Sequence, residues 1–135
     1  MLGEVIGQAS GQITGMKVLS TDPQNLEVEI SFQGGGTLFG QNTTEVGTYT
    51  QKLLPGGQLG GKGKIIFMTE GGGVAMWDGG GIGAPTGAPP AARFAVYGVL
   101  QTQQENVPYF RSTVIVSEYE TAEDGTYSYT TWEWK

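Results

Sequence analysis

Acid–base chemistry in this chain must rest on carboxylates, tyrosines and lysines, because none of its 135 residues is His and none is Cys. Without Cys there is no disulfide, no thiolate nucleophile, no iron–sulfur cluster and no cysteine-based zinc site. Without His there is no Ser-His-Asp triad, and the commonest metal ligand and usual general base near neutral pH are missing. Most carboxylates fall where water is expected: Glu27 and Glu29 on the polar face of an alternating segment, Glu105 and Glu123 in turns. Two differ. Asp78 shares strand parity with Val74, Met76 and Ile82, and Glu118 shares it with Val114 and Val116. An inward carboxylate would need a partner or a proton, which makes both candidates for a ligand anchor or a functional acid. The competing reading is that both lie near strand ends, where a bulge slips parity and leaves the side chain in water.

Cations and aromatics extend this candidate set. Arg93 and Arg111 are the only arginines, each able to pair with a carboxylate or to grip an anionic ligand bidentately. Tyr97 shares parity with Arg93, and Trp132 shares a face with Trp134. Such aromatics fit a core or an interface, or stacking on a ligand at a barrel mouth. The expected ligand-binding set is therefore Asp78, Glu118, Arg93, Tyr97 and Trp132, with no catalytic residue assigned. The segment Gly56-Gly57-Gln58-Leu59-Gly60-Gly61-Lys62-Gly63 approaches a phosphate-binding loop but carries Gly63 where Ser or Thr should hold Mg²⁺. It also runs into Lys64-Ile65-Ile66-Phe67-Met68, a strand pattern rather than the helix an anion site needs. No acidic spacing matches a calcium loop, so neither a metal nor a cofactor is expected.

The elements that must position these residues are strands. Leu26 to Gln33 alternates apolar and polar without a break, and Arg93 to Thr102 sets Phe94, Val96, Gly98 and Leu100 against Arg93, Tyr97 and Gln101. Along Val5 to Thr14 the more apolar face is small: Val5, Gly7, Ala9, Gly11, Ile13. Strands are expected at 4–19, 26–33, 36–40, 45–53, 58–69, 74–82, 92–103 and 112–121, with a further one at 126–134. Asp124-Gly125 reads as a type I′ hairpin turn. With 24 glycines and 6 prolines the chain is a poor helix former. Glycines within strands mark bulges, corners or close backbone approach, as closing a small barrel requires. The expectation is all-β, a single antiparallel barrel of about eight strands spanning 1–135 as one domain, with a β-sandwich as runner-up. Gly83 to Ala92, rich in Pro and Ala, is an exposed loop or a lid over the barrel mouth.

Charge and hydropathy set further limits. Seven basic against 13 acidic residues give a net charge of −6, unfavourable for nucleic acid. There is no run of 18 apolar residues for a spanning helix, and the N-terminal segment alternates rather than forming a signal sequence. A cytoplasmic protein without membrane or nucleic-acid partners is expected, with homo-oligomer formation open.

Several segments in order, Gly47-Thr48-Tyr49-Thr50, Met68-Thr69-Glu70-Gly71-Gly72, Ala75-Met76-Trp77-Asp78-Gly79, Tyr97-Gly98-Val99-Leu100-Gln101-Thr102, Glu118-Tyr119-Glu120 and Trp132-Glu133-Trp134-Lys135, carry a resemblance. It covers roughly residues 45–135 and is to small prokaryotic β-barrel proteins resembling the allene-oxide-cyclase-like barrel. The resemblance implies eight antiparallel strands, an apolar cavity and frequent self-association; it transfers no functional residue. Three functions then stand: a barrel binding a small, mainly apolar ligand, with Gly7, Ala9 and Gly11 leaving room inside; a cofactor-free cyclase or isomerase acting by orientation; and a structural or oligomeric barrel with a filled interior.

Overall fold

The computed structural model describes residues 2–102 and 112–135; Glu105 and Arg111 lie outside the described residues. Eight strands follow one another: β1 (Leu2–Asp22), β2 (Asn25–Leu38), β3 (Gln41–Leu53), β4 (Leu59–Thr69), β5 (Val74–Pro85), β6 (Ala92–Gln101), β7 (Thr113–Thr121) and β8 (Thr126–Trp134). Each pairs antiparallel with its successor, and β8 returns to β1, closing an up-and-down barrel. Closure gives every strand two neighbours and removes the edges an open sheet would expose, except along the second half of β1, which outruns β8.

The expected segments 26–33 and 36–40 are one strand. Gly34, Gly35 and Gly36 continue the ladder between β1 and β3 instead of breaking it. The chain reverses three residues later, at Phe39 and Gly40, with φ of 49° and 77°. Positive φ at both central residues is the type I′ geometry, which matches the twist of the flanking strands. Phe39 tolerates it because its ring packs against the core formed by Leu38, Phe67, Ala75, Trp77, Leu100 and Ile115. At Asp124-Gly125 the hairpin is present but its type differs from the expectation. Gly125 alone has positive φ, and Ala122 N–H bonds to Thr126 O, so the loop has three residues with glycine in the left-handed position.

Two apolar clusters fill the ends of the barrel. The second joins Phe32, Leu59, Ala92, Phe94, Tyr119 and Tyr127. The inward rings stand over glycines. A Cβ on Gly47 would meet the Phe32 ring at 2.2 Å, and one on Gly34 would meet the Tyr127 hydroxyl at 2.3 Å. These glycines supply the volume that the aromatic core occupies. The small inward face expected to leave room for a ligand is therefore partly spent: Gly11 lies under the Tyr127 ring.

Residues 86–91 form the loop within the Pro- and Ala-rich stretch, since Gly83–Pro85 belong to β5. The loop is tied to the β7–β8 turn. Ala88 N–H donates to Glu123 Oε1 at 2.9 Å, and the Thr121 hydroxyl donates to Pro90 O at 2.5 Å. No helix among the described residues is long and apolar enough to cross a membrane.

Candidate functional site

Two carboxylates among the described residues are buried, Glu45 on β3 and Glu133 near the end of β8, and the sequence reasoning singled out neither; Glu45 is the one that meets the tyrosines. On β3 the inward positions are Thr43, Glu45, Gly47 and Tyr49, while Val46 points outward and is 44% exposed. Glu45 itself is 1% exposed. Its parity with Gly47 and Tyr49 was the available signal; the flanking outward valine disguised it.

Glu45 meets a band of tyrosines. Tyr129 on β8 donates its hydroxyl to Glu45 Oε1 at 2.7 Å, and the other carboxyl oxygen has no hydrogen-bond partner. The Tyr127 hydroxyl is close enough to bear on the carboxyl's charge but makes no hydrogen bond of ordinary geometry, so Tyr129 is the one partner. Burial pushes the Glu45 carboxyl up from 4.5 to about 7, and the tyrosine hydroxyls only partly oppose this. Burial likewise holds Tyr119, Tyr127 and Tyr129 above the ordinary tyrosine range; Tyr49 reinforces the shift of Tyr119, and Glu45 that of Tyr127 and Tyr129. All three therefore stay neutral donors at physiological pH.

The rings lock one another. Tyr119 and Tyr127 stack at 5.6 Å between centroids, Tyr127 and Tyr129 lie nearly parallel at 6.3 Å, and Phe32 meets Tyr127 edge-on at 4.9 Å. Such pairs contribute about 0.5–1.5 kcal/mol each beyond their buried area.

A cavity of about 80 Å³ lies inside the barrel against these rings. Its walls include Phe32, Tyr49, Trp77, Phe94, Tyr119 and Tyr129. Ser117 and Thr131, whose hydroxyls bond to each other at 2.8 Å, add a polar spot. The Tyr119 hydroxyl is buried close to Tyr49 but makes no hydrogen bond of ordinary geometry among the described residues. Glu45 does not line the cavity; it acts on it through Tyr129. The arrangement is thus an apolar chamber with a neutral phenol, Tyr119, that makes no hydrogen bond of ordinary geometry among the described residues, and a second phenol backed by a buried carboxyl. Among the described residues no cluster of three or more acidic, His or Cys side chains forms a metal site.

The five residues expected from sequence lie on the outer wall or its flank, and the inward parity of Asp78 and Glu118 is corrected. Asp78 is exposed and its carboxylate lies 3.8 Å from Lys64, directly across the β4–β5 ladder. Arg93 does pair with carboxylates, Glu118 and Glu120, each at 3.6 Å, but in water. Tyr97 is 61% exposed, and Trp132 sits between Val116 and Val5 on the same outer face. No bulge slips the parity of β5 or β7, whose registers run unbroken. The reason is that the outer wall is itself apolar. Ile82, Val99 and Val114 are 47%, 42% and 47% exposed, so sharing parity with valines did not mean facing inward.

Fold and cavity together define a class: a small up-and-down β-barrel with an aromatic, partly filled interior. The chain matches no family model, and no curated protein matches its sequence. Among solved structures it is similar to a protein of unknown function from Clostridium acetobutylicum, with 12% identity, 98% of each chain covered and a TM-score of 0.81. It is also similar to a conserved protein of unknown function from Rhodopseudomonas palustris, with 14% identity, 98% of this chain and 97% of that one covered, and a TM-score of 0.78. At such identities the likeness establishes a common fold. The resemblance to allene-oxide-cyclase-like proteins is carried by neither of these names.

Proposed function

We propose that the barrel binds a small, mainly apolar molecule bearing one hydrogen-bonding group, seated in the interior cavity. The observation that carries this reading is the Tyr119 hydroxyl, which is buried, lines the cavity beside Tyr49 and makes no hydrogen bond of ordinary geometry among the described residues. A buried polar group left unsatisfied costs about 1–3 kcal/mol, and an acceptor on a ligand removes that cost. Size supports a short molecule. An 80 Å³ chamber is roughly half the engineered 150 Å³ cavity known to hold benzene. A ligand of a few heavy atoms fits, with a carbonyl or hydroxyl oxygen turned to Tyr119.

A second reading uses the same chamber for catalysis without a cofactor. It is favoured by Glu45, whose carboxyl at about 7 is poised for proton exchange near neutral pH, with Tyr129 between it and the cavity. Native mass spectrometry of the full chain with short-chain ketones and alcohols tests binding, alongside Tyr119→Phe. The binding reading expects a one-to-one adduct that Tyr119→Phe weakens about tenfold. Absence of any adduct up to millimolar ligand, with the fold intact, would refute it. Turnover of a bound ketone that Glu45→Gln abolishes would promote the second reading.

A further inference from the structure

β1 is much longer than the strand that closes the barrel on it. It has 21 residues against nine in β8, and its pairing with β8 ends at Gln12 opposite Thr126. One more contact follows, Ile13 N–H to Gly125 O. From Thr14 to Asp22 β1 is paired with β2 alone, so its other side carries free backbone donors and acceptors among the described residues. Nine residues of strand make an edge about 30 Å long.

This projecting lip is built like part of a core. Met16 lies opposite Ile30 and Val18 opposite Val28, so they share the face that lower down becomes the barrel interior. Met16 and Val18 are nevertheless 57% and 64% exposed, and Leu26 and Leu53 beside them are exposed too. The opposite face is charged: Lys17 lies across from Glu29, and Glu27 pairs with Lys52 at 3.7 Å. Natural edges are normally blunted by inward charges, proline or a covering loop. The stretch Thr14 to Asp22 has no proline, and its one lysine points to the charged face.

We propose that this edge pairs antiparallel with the same edge of a second copy of the chain, giving a two-fold dimer. Three features select that occupant. Free ladder groups demand an extended strand, not a helix or a small molecule. The charges are self-complementary: laid antiparallel, Lys17 of each copy faces Asp22 of the other, and Val18 faces Thr21. The bulge between Val18 and Ser20 makes this work, because it brings Lys17, Ser20 and Asp22 onto one face where strict alternation would separate Lys17 from Asp22. A two-fold axis then pairs residues 17–22 of both edges in one contact and closes the assembly. The proposal concerns the outside of the barrel and stands apart from the reading of the cavity.

The test is sedimentation velocity on the full chain over a wide concentration range. The unmodified protein is expected to dimerise at micromolar concentration. Lys17→Glu places an acid against Asp22 twice per dimer and is expected to raise the dissociation constant at least tenfold. Lys17→Asp combined with Asp22→Lys is expected to restore the dimer. Val18→Lys, at a position already in water, puts a charge on the apolar face of the edge and is expected to give monomers with an unchanged circular dichroism spectrum. A monomer at every concentration overturns the proposal. So does a dimer indifferent to Lys17→Glu and Val18→Lys, or a charge swap that fails to restore what Lys17→Glu removes.

Discussion

Replacing Glu45 by Gln probes the interior most directly, because the two side chains have the same shape and differ in one ionisation. In the folded protein the Glu45 carboxyl is pushed up to about 7, against 4.5 as the reference for a free side chain. The folded state therefore holds a proton that the unfolded chain has lost between those two values. Stability must fall as pH rises through that window, because the unfolded state binds fewer protons there. At 1.36 kcal/mol per pKa unit, the cost of keeping Glu45 in place at pH 8 is ~3 kcal/mol. Glu45→Gln removes this cost while its carbonyl can still accept from Tyr129. The variant should match the unmodified protein at pH 4 and exceed it by ~3 kcal/mol at pH 8, a shift of roughly 10 °C in Tm for a chain of this size. Urea denaturation of both proteins from pH 4 to pH 8 measures the difference, and titrations common to both cancel. A difference that stays flat across pH, or a Gln variant less stable at pH 8 than at pH 4 relative to the parent, refutes the account of a strained buried carboxyl.

Other perturbations test separate parts of the structure. Tyr119→Phe deletes a buried hydroxyl that makes no hydrogen bond of ordinary geometry among the described residues; it should leave the ligand-free protein as stable or about 1 kcal/mol more stable in chemical denaturation, while weakening binding. Gly34→Ala would drive a Cβ to 2.3 Å from both Ser10 O and the Tyr127 hydroxyl, and should cost about 2–3 kcal/mol in the same assay. Asp78→Asn and Glu118→Gln remove only solvent-exposed ion pairs; each should change stability by less than about 0.5 kcal/mol and leave any interior binding untouched in calorimetry. Thr131→Val breaks the Ser117–Thr131 hydroxyl pair and should cost about 1–2 kcal/mol by stranding the Ser117 hydroxyl.

Local pattern carried the architecture a long way. Period-two alternation placed β2 and β6 on the right faces: Ile30 and Phe32, then Phe94 and Leu100, are buried as their spacing required. Where glycine was read as punctuation, at Gly34 to Gly36, the ladder ran on, because an extended glycine between two strands loses no hydrogen bond. The inward placement expected of Asp78 and Glu118 failed for a different reason. Parity divides a strand into two faces but does not say which is inside. On β5 and β7 the outer face is as apolar as the inner one, and the interior takes tyrosine, threonine, serine and glutamate.

What the sequence determined by itself was the chemistry permitted and the class of fold. The absence of His and Cys left carboxylates, phenols and lysines as the acid–base groups, and alternation with abundant glycine pointed to an all-β fold with a barrel preferred to a sandwich; closure of the barrel is seen in the structure. Tertiary structure alone decided that Glu45, and neither Asp78 nor Glu118, is buried, and that Tyr129 is its partner across 84 residues of chain. The reason is that burial and pKa follow from how strands far apart in sequence close around one axis. That closure is set by register across all eight ladders, which no single strand records.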